Sequence, residues 1–265
     1  GGIVPAIFVK ERYYEKLVAK KTSVKLLDSL RETLSNRAFV ILCMFTLCFL
    51  LGTAIFDSYG RYVGTYYVLG GDWDLGAIFA GWGTLVYTGF SLMFIPIFRR
   101  LSERIGKNKC LAIAISIVLV SASTTWWTFD PNYPWLMMIN TALIGVGYAG
   151  LWLMLPSMQI DVVDMDELKT GERREGSFAS IFSWILKLSF CVGFLISGPL
   201  LELTGFDATL EGAQPDSVYQ NMRVGYIMIP VCSLIMALAL LKFFPINQAK
   251  AAEIRKALEA RRGEV

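Results

Sequence analysis

The sequence of 265 residues contains no histidine. The side chain that most readily titrates near neutral pH, and the commonest metal ligand, is therefore missing, so any proton or cation chemistry falls to carboxylates. Cysteine is sparse: Cys43, Cys48, Cys110, Cys191 and Cys232 all sit inside or at the edge of apolar stretches. They read as small buried residues and imply no disulfide framework. No nucleophile–base constellation, cluster of metal ligands or phosphate-binding loop stands out, which disfavours an enzyme and calls for no cofactor. Charge is lacking over long stretches, with none in residues 38–56, 75–98, 110–129, 131–160 and 224–241.

These stretches run 19, 24, 20, 30 and 18 residues, in a chain that is 55% hydrophobic. A helix needs about 20 apolar residues to cross the hydrocarbon core. A sixth stretch, residues 176–201, is interrupted only by Lys187. Lipid admits only helices or closed barrels, and continuous runs of this length exclude alternating barrel strands. The sequence predicts an all-α polytopic membrane protein with six transmembrane helices in residues 38–244. A segment at 1–37 precedes them and a short helix at 245–265 follows, with Ala251, Ile254 and Leu258 at helical spacing.

Basic residues are distributed asymmetrically. With six spans, residues 1–37, 99–109, 169–174 and 242–262 share one face and hold 22 of the 25 lysines and arginines. The opposite face holds Arg61 and Arg223, and Lys187 lies between. The positive-inside rule then places both termini in the cytoplasm of a plasma (inner) membrane. The basic loops are topology signals, so no nucleic-acid partner is expected, and the lipid bilayer is the first partner. The chain opens on Gly-Gly, and residues 1–9 read as the end of a preceding apolar helix. Residues 10–37 are expected to form a linker, amphipathic and near the membrane surface. Turns are expected at Gly70-Gly71-Asp72 and at 130–134, and charged loops at 99–109 and 161–175.

Lys187 is the most costly residue in the sequence, by a few kcal/mol at mid-bilayer on insertion scales. It demands a polar cavity, a partner charge or a substrate. Two further runs carry information. Leu101-Ser102-Glu103-Arg104-Ile105-Gly106-Lys107-Asn108-Lys109 joins two spans and resembles the loop signature of the major facilitator superfamily. It departs from that pattern in having Arg99 where glycine is usual and Asn108 where a basic residue is usual. The run from Leu155-Pro156-Ser157 through Asp161, Asp164, Asp166, Glu167 and Lys169 to Arg173-Arg174-Glu175-Gly176 resembles the signature of the glycoside–pentoside–hexuronide:cation symporters. Phe244-Pro245-Ile246 before a charged helix also fits.

That resemblance covers the chain as the second half of a twelve-helix fold. It implies one major-facilitator half-bundle, paired with an N-terminal six-helix half of the same or another chain. It further implies sodium- or proton-coupled transport of a sugar or glycoside by alternating access, with the coupling ion held mainly in the other half. Lys187 matches a family lysine at the cavity between the halves, with Ser183 one turn earlier and Phe182 and Trp184 flanking it. Trp152 matches a cavity tryptophan, and Tyr148 is one turn from it. Aromatic faces beside hydrogen-bond donors suit a sugar ring.

Asp161, Asp164, Asp166 and Glu167 stand where a helix C-terminus opposes negative charge. They need cations, and Arg104, Arg173 and Arg174, with Glu175, complete the expected cytoplasmic gate. The 1-4-6 spacing of the aspartates is not an EF-hand loop. Asp57 and Arg61, at i,i+4, are expected to pair at an outer rim with Tyr62. Gly145, Gly147 and Gly150 are expected to allow close helix packing. A lysolipid or other amphiphile carrier of the same family is one alternative. A non-transporting sensor or pairing subunit is another.

Overall fold

The computed structural model describes residues 26–210 and 212–262, and every regular element among them is helical. The expected end of a preceding helix at residues 1–9, the linker up to residue 25 and the last three residues lie outside the described residues. Among the described residues, six helices are long and apolar enough to cross a membrane.

Helix α1 (Leu26–Ser35) is short. Asn36 divides it from α2 (Arg37–Tyr62): its backbone is extended, and its side-chain oxygen accepts from the Ala38 and Phe39 amides at 3.1 and 3.3 Å. That is the N-cap solution for amides with no partner inside the helix. α2 is the apolar axis of the bundle, with Phe39, Leu42, Phe45, Phe49 and Leu50 buried and both α6 and α7 packed along it. It widens into a π-helical turn at Val63–Val68. Gly70 and Gly71 then reverse the chain with φ of 64° and 91°, which side chains oppose. Asp72 caps α3 (Trp73–Ile105) by accepting from the Leu75 amide at 2.9 Å.

Two expected loops are largely helical. No loop occupies 99–109: α3 continues to Ile105, and α4 (Lys107–Thr128) starts on the far side of Gly106, whose φ of 87° makes the corner. After a 3₁₀ turn at Pro134–Leu136, α5 (Met137–Thr170) runs 34 residues, about 51 Å at 1.5 Å per residue. It thereby absorbs residues 161–170 of the charged loop expected at 161–175, and leaves 171–174 as the connection to the next helix. The cause is periodicity: Val162, Val163 and Met165 are buried between the acids, so the packed stripe carries the helix through the charges. Gly171, at φ 78°, ends it. α6 (Glu175–Leu203) and α7 (Asp216–Lys242) follow. α8 (Gln248–Arg262) docks on α5 through Ile254 and Leu258.

Lipid supplies no hydrophobic force between helices, so contact depends on close approach and on satisfied polar groups. Both are present where α5 meets α3 and α4. A Cβ on Gly145 would lie 2.5 Å from the Tyr87 carbonyl oxygen, and one on Gly147 would lie 2.8 Å from that of Ala114. Asn140 donates to the Ser121 carbonyl at 2.7 Å and the Thr125 hydroxyl at 3.1 Å, and accepts from Thr128. α3 packs on α5 and α6 packs on α2. Both remain largely uncovered, with only Gly83 and Phe98 buried on α3.

Candidate functional site

The expected substrate residues divide between two helices. On α6, Ser183, Trp184 and Lys187 share one exposed face, with Trp184 74% exposed. No hydrogen bond or ion pair engages Lys187 among the described residues. Phe182 departs from expectation. It is buried in the core, one turn from Phe178, which meets Phe39 edge-on with ring centroids 4.8 Å apart. One residue along a helix rotates the side chain by about 100°, so Phe182 turns inward where Ser183 turns outward. On α5, Trp152 is exposed, in line with Pro156 and Ile160. Tyr148, one turn earlier, is half-buried between the rings of Phe49 at 5.7 Å and Tyr87 at 6.0 Å.

The charged residues form two clasps at the end of the bundle that carries the basic segments. Lys107, at the start of α4, reaches across to α5. Its Nζ lies 2.7 and 2.6 Å from the two Asp161 carboxylate oxygens and 3.2 Å from the Ser157 carbonyl. Arg174, just before α6, donates from Nε and Nη2 to Asp166 at 3.1 and 2.8 Å and from Nη1 to Glu32 of α1. Asn36 donates to the other Asp166 oxygen at 3.2 Å. Partial burial works against charge on Arg174, but the hydrogen bond and charge of Asp166, then Glu32 and Glu172, outweigh it and raise its pKa.

This pairing differs from the expected one. Asp161 engages Lys107 rather than Arg104, which is exposed and meets no acid among the described residues. Arg173 pairs locally with Glu175 at 3.0 Å, and both are more than half exposed, so that pair contributes little. Asp164 and Glu167 are half-buried on the same turns of α5. Lys107, Glu32 and Asn36 were not among the expected site residues. Lys107 carried a signal, as the first basic residue after Gly106; Glu32 and Asn36 did not.

At the opposite end a cavity of about 610 Å³ opens between α2, α3 and α5. Asp57 and Arg61 both line it, but no ion pair joins them among the described residues; they share a wall and leave their charges to the cavity. Tyr62 faces elsewhere, stacked on Tyr66 at 6.3 Å and set edge-on to Trp73 and Phe206. Arg223 closes the same end, its guanidinium 4.2 Å from the Trp126 ring centroid and 4.7 Å from that of Tyr67.

Residues 2–248 match the family described as MFS/sugar transport protein. An uncharacterized symporter of Synechocystis sp. is 31% identical over 244 residues, 90% of this chain and 44% of the relative. The glucuronide carrier protein homolog of Escherichia coli is 27% identical over 227 residues, 85% and 48% of the two chains. The sodium-dependent lysophosphatidylcholine symporter 1 of Gallus gallus is 29% identical over 172 residues, 64% and 32%. The chain spans about half the length of the first two relatives and a third of the last. These names are those of transporters, not enzymes.

Proposed function

The chain belongs to the MFS/sugar transport protein family, and from that premise we propose that it is the C-terminal half of a secondary transporter for cation-coupled symport of a sugar or glycoside. It is a multi-pass membrane protein. In this reading a second six-helix half covers the uncovered face of α6, and substrate binds at the interface near mid-membrane. The charge distribution supports a cytoplasmic side for both termini, and the reading takes the membrane to be the plasma membrane. The two clasps hold α1, α4, α5 and α6 together at that end, so the half moves as one body when the halves rock.

The observation that carries the proposal is Lys187, without a partner among the described residues, on an exposed face in the middle of an apolar span. An intramembrane charge is tolerated where a cavity, a counter-charge or a ligand meets it. Ser183 and Trp184 beside it add a hydroxyl and a ring face. Trp152 supplies a second ring on α5. The other half supplies the carboxylates that hold Na⁺ or H⁺.

The test is uptake by cells expressing the whole gene product, comparing labelled methyl glycosides and glucuronides with lysophosphatidylcholine under imposed Na⁺ and H⁺ gradients. Gradient-driven accumulation of a glycoside is expected. Uptake of the lysolipid alone would replace the sugar reading with that of an amphiphile carrier, in which Lys187 meets a phosphate. Saturable glycoside binding without net flux would mark a sensor instead.

A further inference from the structure

The cavity beside Asp57 is separate from the Lys187 face, and none of the proposed substrate residues except Tyr148 lines it. At about 610 Å³ it falls in the size range of small-molecule sites. A chamber of about 20 Å³, with room for about one water, continues from it past Asp57 and Tyr148 to Thr53. The wall combines two charges, Asp57 and Arg61, with the hydroxyls of Thr84, Thr141 and Tyr87 and the ring faces of Phe56 and Phe79.

We propose that this cavity is a second binding site, for one polyhydroxylated, sugar-sized ligand of no net charge, on the face assigned to the outside. The two charges disfavour a ligand of net charge. Asp57 and Arg61 are one helical turn apart on α2, so together they present no net charge. A bare anion meets Asp57 and a bare cation meets Arg61, each at a cost. A neutral polyol satisfies both, donating hydroxyls to the carboxylate and accepting from the guanidinium. Hydrogen bonds to charged groups are the stronger kind. The Phe56 and Phe79 rings offer apolar faces to the C–H side of a sugar ring.

The position gives the site a role. Tyr148 closes its deep end and stands one turn from Trp152 on α5. A ligand held at Asp57 and Arg61 therefore waits at the approach to the proposed transport site. The sugar class rests on that transport reading, whereas the existence of the site does not.

Cysteine protection separates the two. Thr84 is exposed and lines the cavity, so a T84C variant of the whole protein, with the exposed Cys191 and Cys232 replaced by serine, is labelled by a membrane-impermeant thiol reagent. Excess methyl β-D-glucoside is expected to slow labelling at least fivefold. D57N and R61Q are each expected to abolish the protection, while K187A leaves it intact. Loss of protection in K187A would reduce the cavity to part of the Lys187 site and overturn the proposal. Protection by phosphocholine but not by the glucoside would overturn the polyol class. No protection in the parent T84C protein, with glycoside uptake still present, would overturn the second site and leave the transport reading standing.

Discussion

Replacing Asp161 by alanine is the sharpest probe of how the bundle is held. The carboxylate is nearly enclosed, with its side chain 7% exposed, and it takes both bonds from Lys107 at 2.6 and 2.7 Å. Removing it leaves the ammonium with the Ser157 carbonyl at 3.2 Å as its remaining partner. Breaking a buried pair from one side costs about 3–5 kcal/mol. Lys107 is 26% exposed and reaches some water, which favours the lower end, about 3 kcal/mol. At about 2–4 °C per kcal/mol for a chain of this size, the melting temperature falls by roughly 6–12 °C. The assay is thermal unfolding in a lipid–detergent micelle, followed by tryptophan fluorescence. The double variant K107M/D161L, which removes both charges and keeps each side chain's approximate shape, is expected to recover most of the loss because apolar residues of similar shape can replace a buried pair without penalty. An unchanged melting temperature in D161A would refute the clasp.

Arg174→Lys keeps the charge but loses the guanidinium fork that serves Asp166 and Glu32 together; amides of α1 are expected to exchange faster while those of α5 stay protected. The charge on Arg174 gives the second clasp no pH dependence near neutrality. Its folded pKa is raised, so its contribution is complete below the unfolded value and is lost only as pH rises through the still higher folded one, as unfolding measured from pH 6 to 9 would show. Asn140→Leu strands the hydrogen-bonding groups of α4 and is expected to destabilise by about 1 kcal/mol, the scale of interhelical hydrogen bonds in membranes, read as a small drop in melting temperature. Gly147→Val drives a branched side chain into Val118 and the Ala114 carbonyl. A loss of about 1–3 kcal/mol is expected from overpacking, with reduced recovery of folded protein on size-exclusion chromatography.

The six spans were legible because apolar length is a local property, uncharged in five of them and broken only by Lys187 in the sixth, and lipid leaves helices as the only answer for it. The helix ends were less so. Charges at 99–109 and 161–175 suggest loops, but the helices run on because buried Val162, Val163 and Met165 continue the packed stripe between the acids. Lys187 stood out in the sequence by its cost, and Asp161 and Trp152 by resemblance to the family pattern. Their partners did not, since pairing is set by which helices touch: Lys107 meets Asp161 across 54 positions, and Arg174 meets Glu32 across 142. Phe182 shows the limit within one helix, where it is buried and its neighbour Ser183 is exposed. The cavity at Asp57 had only its charged pair as a signal, because α3 and α5 supply the opposite wall.

Glycoside counterflow in vesicles carrying the whole protein, with Lys187→Ala beside the parent, isolates substrate exchange from cation coupling. A hydrogen bond from a charged group to a substrate is worth about 1.5–3 kcal/mol, so K187A is expected to slow counterflow about tenfold or more at subsaturating sugar, with protein level and melting temperature unchanged. Counterflow equal to the parent's would contradict a substrate site built on Lys187.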